Sequence, residues 1–459
     1  MVMRRSVTDG SGSRQGRTVT AVRRVRIDAV SVLTVYLVLL FVVPSNRTIG
    51  PLGGAGAPAA LFGFVALVWW GWYQVSRTRA TVDRGRRPVR IAFFLFCGAA
   101  LVSYIIAALS PRPQVEVNGA DLGLLRLLSY AGVFLIANDG IRTLQRLRVL
   151  LQRIVFGGAL FATLGIVQFL TKQSFVDAIS IPGLSTTQDF SSVQDRSGFA
   201  RAAATATNPL EYAFVLSMIA PIAITLALDD RSRSALRRWL PAGLIIVALA
   251  LSASRSGVLG LFFGVLILFI TWSNRVRVRA LVVAAVGSAL VYVLVPGMVG
   301  TIRGLFLNIG QDSSAVSRTS SYDVATTFIE RNPFFGRGFG TFLPQYRILD
   351  NQYLLTAIEN GGVGLILLLS LLITAILVVV LVRRRQVNRL QRQIAQALAA
   401  SIVVGALLMA FFDVFSFRMA VGLLMLLLGI CGAYWRLGRE SRILADDQHA
   451  FWARAPLER

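Results

Sequence analysis

Histidine is nearly absent from this 459-residue chain, with His449 its single example. Imidazole-based acid–base catalysis and zinc sites are therefore poor readings of it. Cysteine is as scarce: Cys97 and Cys431 both fall inside apolar runs, with neither metal-type spacing nor a disulfide framework. Lysine occurs once, at Lys172, so arginine supplies nearly all the positive charge. Charged residues make up only 15% of the chain, where a soluble domain carries about 25%.

What fills the space is apolar: 55% of residues are hydrophobic. Runs of roughly 17 to 25 apolar residues recur, each long enough to cross about 30 Å of hydrocarbon. They do not alternate polar with apolar, which argues against a β-barrel. The expected fold is an all-α membrane protein with about twelve transmembrane helices. The expected spans are 27–43, 56–75, 91–110, 122–137, 154–170, 208–228, 239–253, 256–272, 280–297, 353–382, 394–412 and 419–435. Residues 1–26 read as a disordered basic cytoplasmic tail and 436–459 as a second cytoplasmic tail. The region 27–435 reads as the polytopic domain. No A-x-A cleavage site follows the first run, so it is read as an uncleaved anchor.

The formal net charge is +25, from 47 basic and 22 acidic residues. Such a balance invites a nucleic-acid reading, but the arginines favour another. They concentrate in every second connection, for example Arg77–Arg90, Arg142–Arg153, Arg231–Arg238 and Arg383–Arg392, and the short connections between are nearly bare. That is the positive-inside pattern, with both termini cytoplasmic and no nucleic-acid partner. The long connections 171–207 and 298–352 then lie outside. Within the second, Arg318–Arg331 reads as a helix with Tyr322, Ala325, Phe328 and Ile329 on one face. Ser320 and Asp323 make a candidate capping box, and Pro333 makes the stop.

Arginines on the outer side run against this bias and invite an anionic ligand, most simply a phosphate or pyrophosphate; the alternative is that they are solvated loop charges or partners of Asp312, Asp323, Glu330 and Asp350. Arg201 and Arg255 lie closest to apolar runs. Asn208-Pro209 suits the opening of a span, with Glu211 one turn in, placed to pair with an arginine or to orient a sugar hydroxyl. Asp350 and Asn351 precede another span, with Tyr353 and Glu359 beyond them. Asp350 is a candidate general base, and either of the pair suits a helix N-cap.

Four stretches, RAAATATNPLEY at 201–212, SASRSG at 252–257, NPFFGRGFGTF at 332–342 and DNQYLLTAIENGGVG at 350–364, resemble the O-antigen ligase and polysaccharide polymerase superfamily. The resemblance covers roughly residues 195–385. It implies a C-type membrane glycosyltransferase fold needing no cofactor or metal. The implied donor is an undecaprenyl-pyrophosphate-linked glycan, taken at the outer face of the cytoplasmic (inner) membrane and passed to a glycan or lipid acceptor. Partners would be the lipid bilayer and polysaccharide assembly machinery. Residues implied in catalysis are Asp350, Arg255 and Arg201. Substrate contacts are expected from Arg318, Asn208, Glu211, Asn351, Tyr353, Arg337 and Glu359. Lipid A core ligases carry a His where this chain has Asp350, which leans the reading toward a polymerase or an exopolysaccharide-type relative. The competing class is a polytopic transporter or flippase, which would place ionisable groups near the midplane.

Overall fold

Every one of the expected apolar runs falls on a helix in the computed structural model, which describes residues 28–76, 85–176, 181–186, 194–196, 199–229, 234–252, 254–294, 300 and 313–454. The basic tail 1–26 and residues 301–312 of the long loop lie outside the described residues. The helices are α1 (Ala29–Val42), α2 (Pro58–Ser76), α3 (Pro88–Leu109), α4 (Gln114–Gly140), α5 (Leu144–Thr171) and α6 (Pro209–Asp229). They continue with α7 (Ala235–Leu251), α8 (Arg255–Phe269), α9 (Asn274–Leu294), α10 (Ser313–Arg331), α11 (Gln352–Arg385), α12 (Arg389–Leu408) and α13 (Arg418–Arg454). Eight of these, α2 to α6 and α11 to α13, are long and apolar enough to cross a membrane by length and composition. Helices α1 and α8 are apolar but shorter, at 14 and 15 residues.

The starts of α1, α3 and α5 share one end with the finish of α4, and the starts of α6, α11 and α13 share ties at the other. At one end Asp28 caps α1, accepting from the Ser31 amide at 3.0 Å, and also pairs with Arg146 of α5 at 2.6 Å. The Arg146 guanidinium, more than burial opposes, holds the Asp28 carboxyl down to about 2. Asp139 at the end of α4 binds Arg87 and Arg90 at the start of α3. The other end holds the two short antiparallel ribbons. These are β1 (Arg47–Thr48) against β2 (Ser185–Thr186), and β3 (Gln194–Arg196) against β4 (Phe199–Arg201).

The core sits where α6, α12 and α13 meet. Helix α6 is buried nearly along its whole length. Helix α8 docks on α6 and α12 through a row of small residues. A Cβ at Gly260 would stand 2.5 Å from Ser217 of α6 and 3.0 Å from Leu408 of α12, so only glycine permits that approach. Helix α9 lies at the edge and is exposed over most of its length. It begins six residues before the expected span, taking Arg275, Arg277 and Arg279 into its opening turns. Helix α13 likewise continues through 436–454, where a tail was expected.

Candidate functional site

The glycine-rich stretch and the tenth apolar run form one unit. Helix α11 is broken at Gly361 (φ 65°, ψ −170°), so two helical hydrogen bonds across that point are not made. The loop 333–338 takes their place. The amides of Gly362 and Val363 donate to the Pro333 and Phe334 carbonyls at 2.8 and 3.1 Å. The orphaned carbonyls of Ile358 and Glu359 accept from the Arg337 and Gly338 amides at 2.8 and 2.9 Å. Every backbone group freed by the break is thus satisfied, as burial demands. Glycine is required on both sides of the seam. A Cβ at Gly336 would lie 2.3 Å from the Glu359 backbone, and one at Gly361 would lie 2.2 Å from the Phe334 carbonyl oxygen. Glu359 is buried with the Phe342 amide on its carboxylate at 3.3 Å, and Ser103 of α3 donates to its carbonyl at 2.6 Å.

Helix α10 lies over the first turns of α11. Ala325, with Phe328 and Ile329, packs on Phe342, Leu349, Leu355 and Ile358. Tyr322 is half exposed and leaves that face. The expected capping box at Ser320 is not an N-terminus, because the helix already runs from Ser313. It ends at Arg331, two residues before Pro333. Arg318 sits in its second turn, and its side chain lies outside the described residues.

At the mouth of α11 the two candidate caps separate. Asn351 is the N-cap, accepting from the Tyr353 and Leu354 amides at 3.0 and 3.2 Å. Asp350 precedes it in the left-handed region (φ 48°), a conformation that costs a non-glycine residue roughly 1–3 kcal/mol. Gln352 ties this mouth to the connection between α12 and α13. Its amide donates to the Met409 carbonyl at 2.8 Å, and its Oε1 accepts from the Phe415 amide at 2.7 Å. Asp413 in that connection faces Asp350 electrostatically. Burial pushes the Asp413 carboxyl up to about 6; the Asp350 charge adds to this and a Ser416 hydrogen bond opposes it. Sequence reasoning passed over Asp413, whose one signal is an acid directly after an apolar run. Tyr353 donates to the Ala406 carbonyl at 2.6 Å, joining α11 to α12.

Arg255 opens α8 as its first residue, after Ser254 in extended backbone. A Cβ at the adjacent Gly257 would stand 3.2 Å from Ala213, in the second turn of α6. Asn208 caps α6, accepting from the Glu211 amide at 2.8 Å. Glu211 is wholly buried, and its carboxylate takes the Thr207, Met419 and Ala420 amides at 2.7, 2.8 and 3.3 Å. These amides lie in the turn leading to α6 and in the first turn of α13, where the helix dipole favours an anion. Glu211 is thus a clamp between two helix starts. Arg201 ends β4, three residues before Ala204, whose amide and carbonyl are both held by Gln168 of α5.

The connection 409–417 is therefore tied to the mouth of α11 through Gln352 and carries Asp413, which Asp350 influences, while Arg255 and Asn208 stand at the starts of α8 and α6. Arg337 does not join them. Its guanidinium pairs with Glu116 of α4 and lies over the Phe328 and Tyr346 rings, 5.2 and 4.9 Å from their centroids. Arg112 binds the same Glu116 at 3.1 Å and also the Arg337 carbonyl. This network fastens the glycine-rich loop to the α3–α4 corner, and nothing in the sequence spacing announces it.

Among curated proteins, none matches this chain. Residues 240–369 match the family model described as O-antigen ligase. That range holds Arg255, Arg318, Arg337, Asp350, Asn351, Tyr353 and Glu359, while Arg201, Asn208 and Glu211 lie before it. Residues 240–369 are thus similar to the O-antigen ligase and polymerase superfamily, in a chain whose described residues include eight helices apolar and long enough to cross a membrane.

Proposed function

We propose that the chain is a membrane glycosyltransferase of twelve spans. It would transfer or polymerise a glycan from an undecaprenyl-pyrophosphate donor at the outer face of the cytoplasmic membrane. The observation that carries this reading is the placement of Arg255. It stands at the positive end of α8, whose Gly260 packs on Leu408, the last residue of α12 before the connection that Gln352 ties to the mouth of α11.

In the reaction proposed, the acceptor hydroxyl oxygen attacks the sugar C1, and the bond from C1 to the pyrophosphate oxygen breaks. The pyrophosphate departs with its charge held by Arg255 and Arg201, with Arg318 as a third cation. Guanidinium offers paired donors to phosphate and stays charged throughout. Fixed cations in a site poor in water do the work that a metal ion does in other enzymes. The acceptor proton passes to Asp350, with Asp413 setting the charge around it. Asn351 caps α11 and leaves the Asp350 side chain free of that duty. Helix α10 covers the site and limits hydrolysis of the donor. Glu211, Tyr353, Arg337 and Glu359 act by holding the walls in place.

A strain lacking this protein, complemented with Arg255→Ala, tests the reading. The expected result is correct insertion, accumulated lipid-linked oligosaccharide and no finished glycan. Normal product length and amount in that strain would overturn it.

A further inference from the structure

The positive-inside pattern puts all of 298–352 outside the membrane, yet part of that connection is tied well down two apolar helices. The Gly362 and Val363 amides of α11 donate to the Pro333 and Phe334 carbonyls, and the Gly338 amide donates to the Glu359 carbonyl. Ser103 of α3 donates to the same Glu359 carbonyl at 2.6 Å. The basic ends of α3 and α11 lie at one end of the bundle, since Val89 and Val382 both pack on α13, at Gly432 and Gly438. Counted from Arg90, Ser103 is 13 residues along α3, about 20 Å at the helical rise. Counted from Arg383, Gly361 is 22 residues along α11, about 33 Å. Bilayer hydrocarbon is about 30 Å thick, so both counts put the segment 333–338 in the far part of that layer or at its edge.

Side chains and backbone both suit that place. Phe334 is 71% exposed and Phe335 42%, between Pro333 and Gly336. Val363, bonded to Phe334, stands three residues before Ile366, which is 63% exposed. Ile105 of α3, two residues beyond Ser103, is 46% exposed. The two phenylalanines are thus level with exposed apolar faces on both spans. Charge stops at the edges of the segment: Glu330 and Arg331 precede it, and Arg337 turns inward to Glu116. Non-helical backbone is tolerated at membrane depth only where its polar groups find partners in the protein. Pro333 has no N–H, and the Pro333 and Phe334 carbonyls and the Gly336, Arg337 and Gly338 amides are all bonded within the chain.

We propose that residues 333–336 form a wedge seated among the acyl chains of the leaflet opposite the basic helix ends, with Phe334 and Phe335 as its contacts. The partner is lipid hydrocarbon, because backbone bonds to α11 fix the depth and the adjoining helices present apolar faces at the same height. The connection between α10 and α11 is then re-entrant at this point. The inference concerns the membrane alone and holds whether or not the chain transfers glycan.

Nitroxide labels on Phe334→Cys, Phe335→Cys and Arg331→Cys test it, each in the full chain carrying Cys97→Ala and Cys431→Ala and reconstituted in phospholipid vesicles. Power saturation reads which reagent reaches each label. Oxygen, which concentrates in hydrocarbon, should relax the labels at 334 and 335, and relaxation by a water-soluble nickel chelate should be lost there. At 331 the nickel chelate should dominate. Nickel relaxation at 334 equal to that at 331 puts the segment in water and overturns the inference. Shielding of 334 from both reagents means a protein cover and overturns it equally. Should the chain without its native cysteines fail to fold, Phe334→p-benzoylphenylalanine in the otherwise wild-type chain takes the place of the labels. Ultraviolet light should then yield a phospholipid adduct, and adducts with protein alone, or none, overturn the inference.

Discussion

Replacing Gly361 with alanine attacks the seam between α11 and the glycine-rich loop. The new Cβ would stand 2.2 Å from the Phe334 oxygen and 2.6 Å from the Gly336 nitrogen, both backbone atoms that cannot swing aside. The φ of 65° with ψ of −170° adds roughly 1–3 kcal/mol for any side chain. Escape by straightening the helix regains two bonds, from Gly362 to Ile358 and from Val363 to Glu359. It orphans four loop groups: the carbonyls of Pro333 and Phe334, and the amides of Arg337 and Gly338. At about 1 kcal/mol per net hydrogen bond, that route costs about 2 kcal/mol before any loss of packing by α10. The total is about 2–4 kcal/mol by either route. Gly362→Ala is the control, because its Cβ meets only the Pro333 oxygen at 3.4 Å. The assay is thermal unfolding of the purified protein in detergent, paired with limited trypsin cleavage at Arg331 and Arg337. Gly361→Ala should melt well below the wild type and open both sites, and Gly362→Ala should do neither. Equal melting and protection of the two variants would refute the interlocked geometry.

Because burial raises Asp413 to about 6, its native form holds a proton that the unfolded chain, titrating near 3.9, gives up. Stability from this group is full below about pH 4 and is lost as pH rises through 6, by about 2–3 kcal/mol. Melting curves from pH 4 to 7 should show that decline, and Asp413→Asn should flatten it. Asp28 lies on the other side, held down to about 2 by Arg146. Asp28→Ala, which also removes the α1 cap, should cost about 1–2 kcal/mol at pH 7, and Asp28→Asn, which keeps the cap, less. Tyr353→Phe leaves the Ala406 carbonyl without its donor and should cost about 1 kcal/mol in unfolding while glycan product is unchanged. Lost product at full stability would instead make Tyr353 a substrate contact.

Much of the helical frame was legible because apolar runs of span length have few other uses in a chain this poor in charge. Boundaries were less so where arginines enter a helix, as Arg275 to Arg279 do in α9. The choice between Asp350 and Asn351 as cap could not be read from composition, since both side chains reach an amide; backbone φ decides it. Glu211 looked like a ligand because it stands one turn into a span. Its partners, Met419 and Ala420, lie more than two hundred residues away. Arg337 and Glu116 are as distant, 221 residues apart. Such pairings follow no helical or strand period. The glycine motif was visible as a pattern, but its cause lies in backbone groups exchanged with α11, and a sequence carries no mark of that exchange.

The central claim is that fixed guanidinium groups stabilise a departing pyrophosphate. It is tested most directly by single-turnover glycan transfer in proteoliposomes, with a defined undecaprenyl-pyrophosphate donor and Arg255→Ala beside the wild type. A preorganised cation acting mainly in the transition state predicts a transfer rate lower by about 10² to 10³, with donor affinity changed far less. A rate within a few-fold of the wild type at saturating donor would contradict the account.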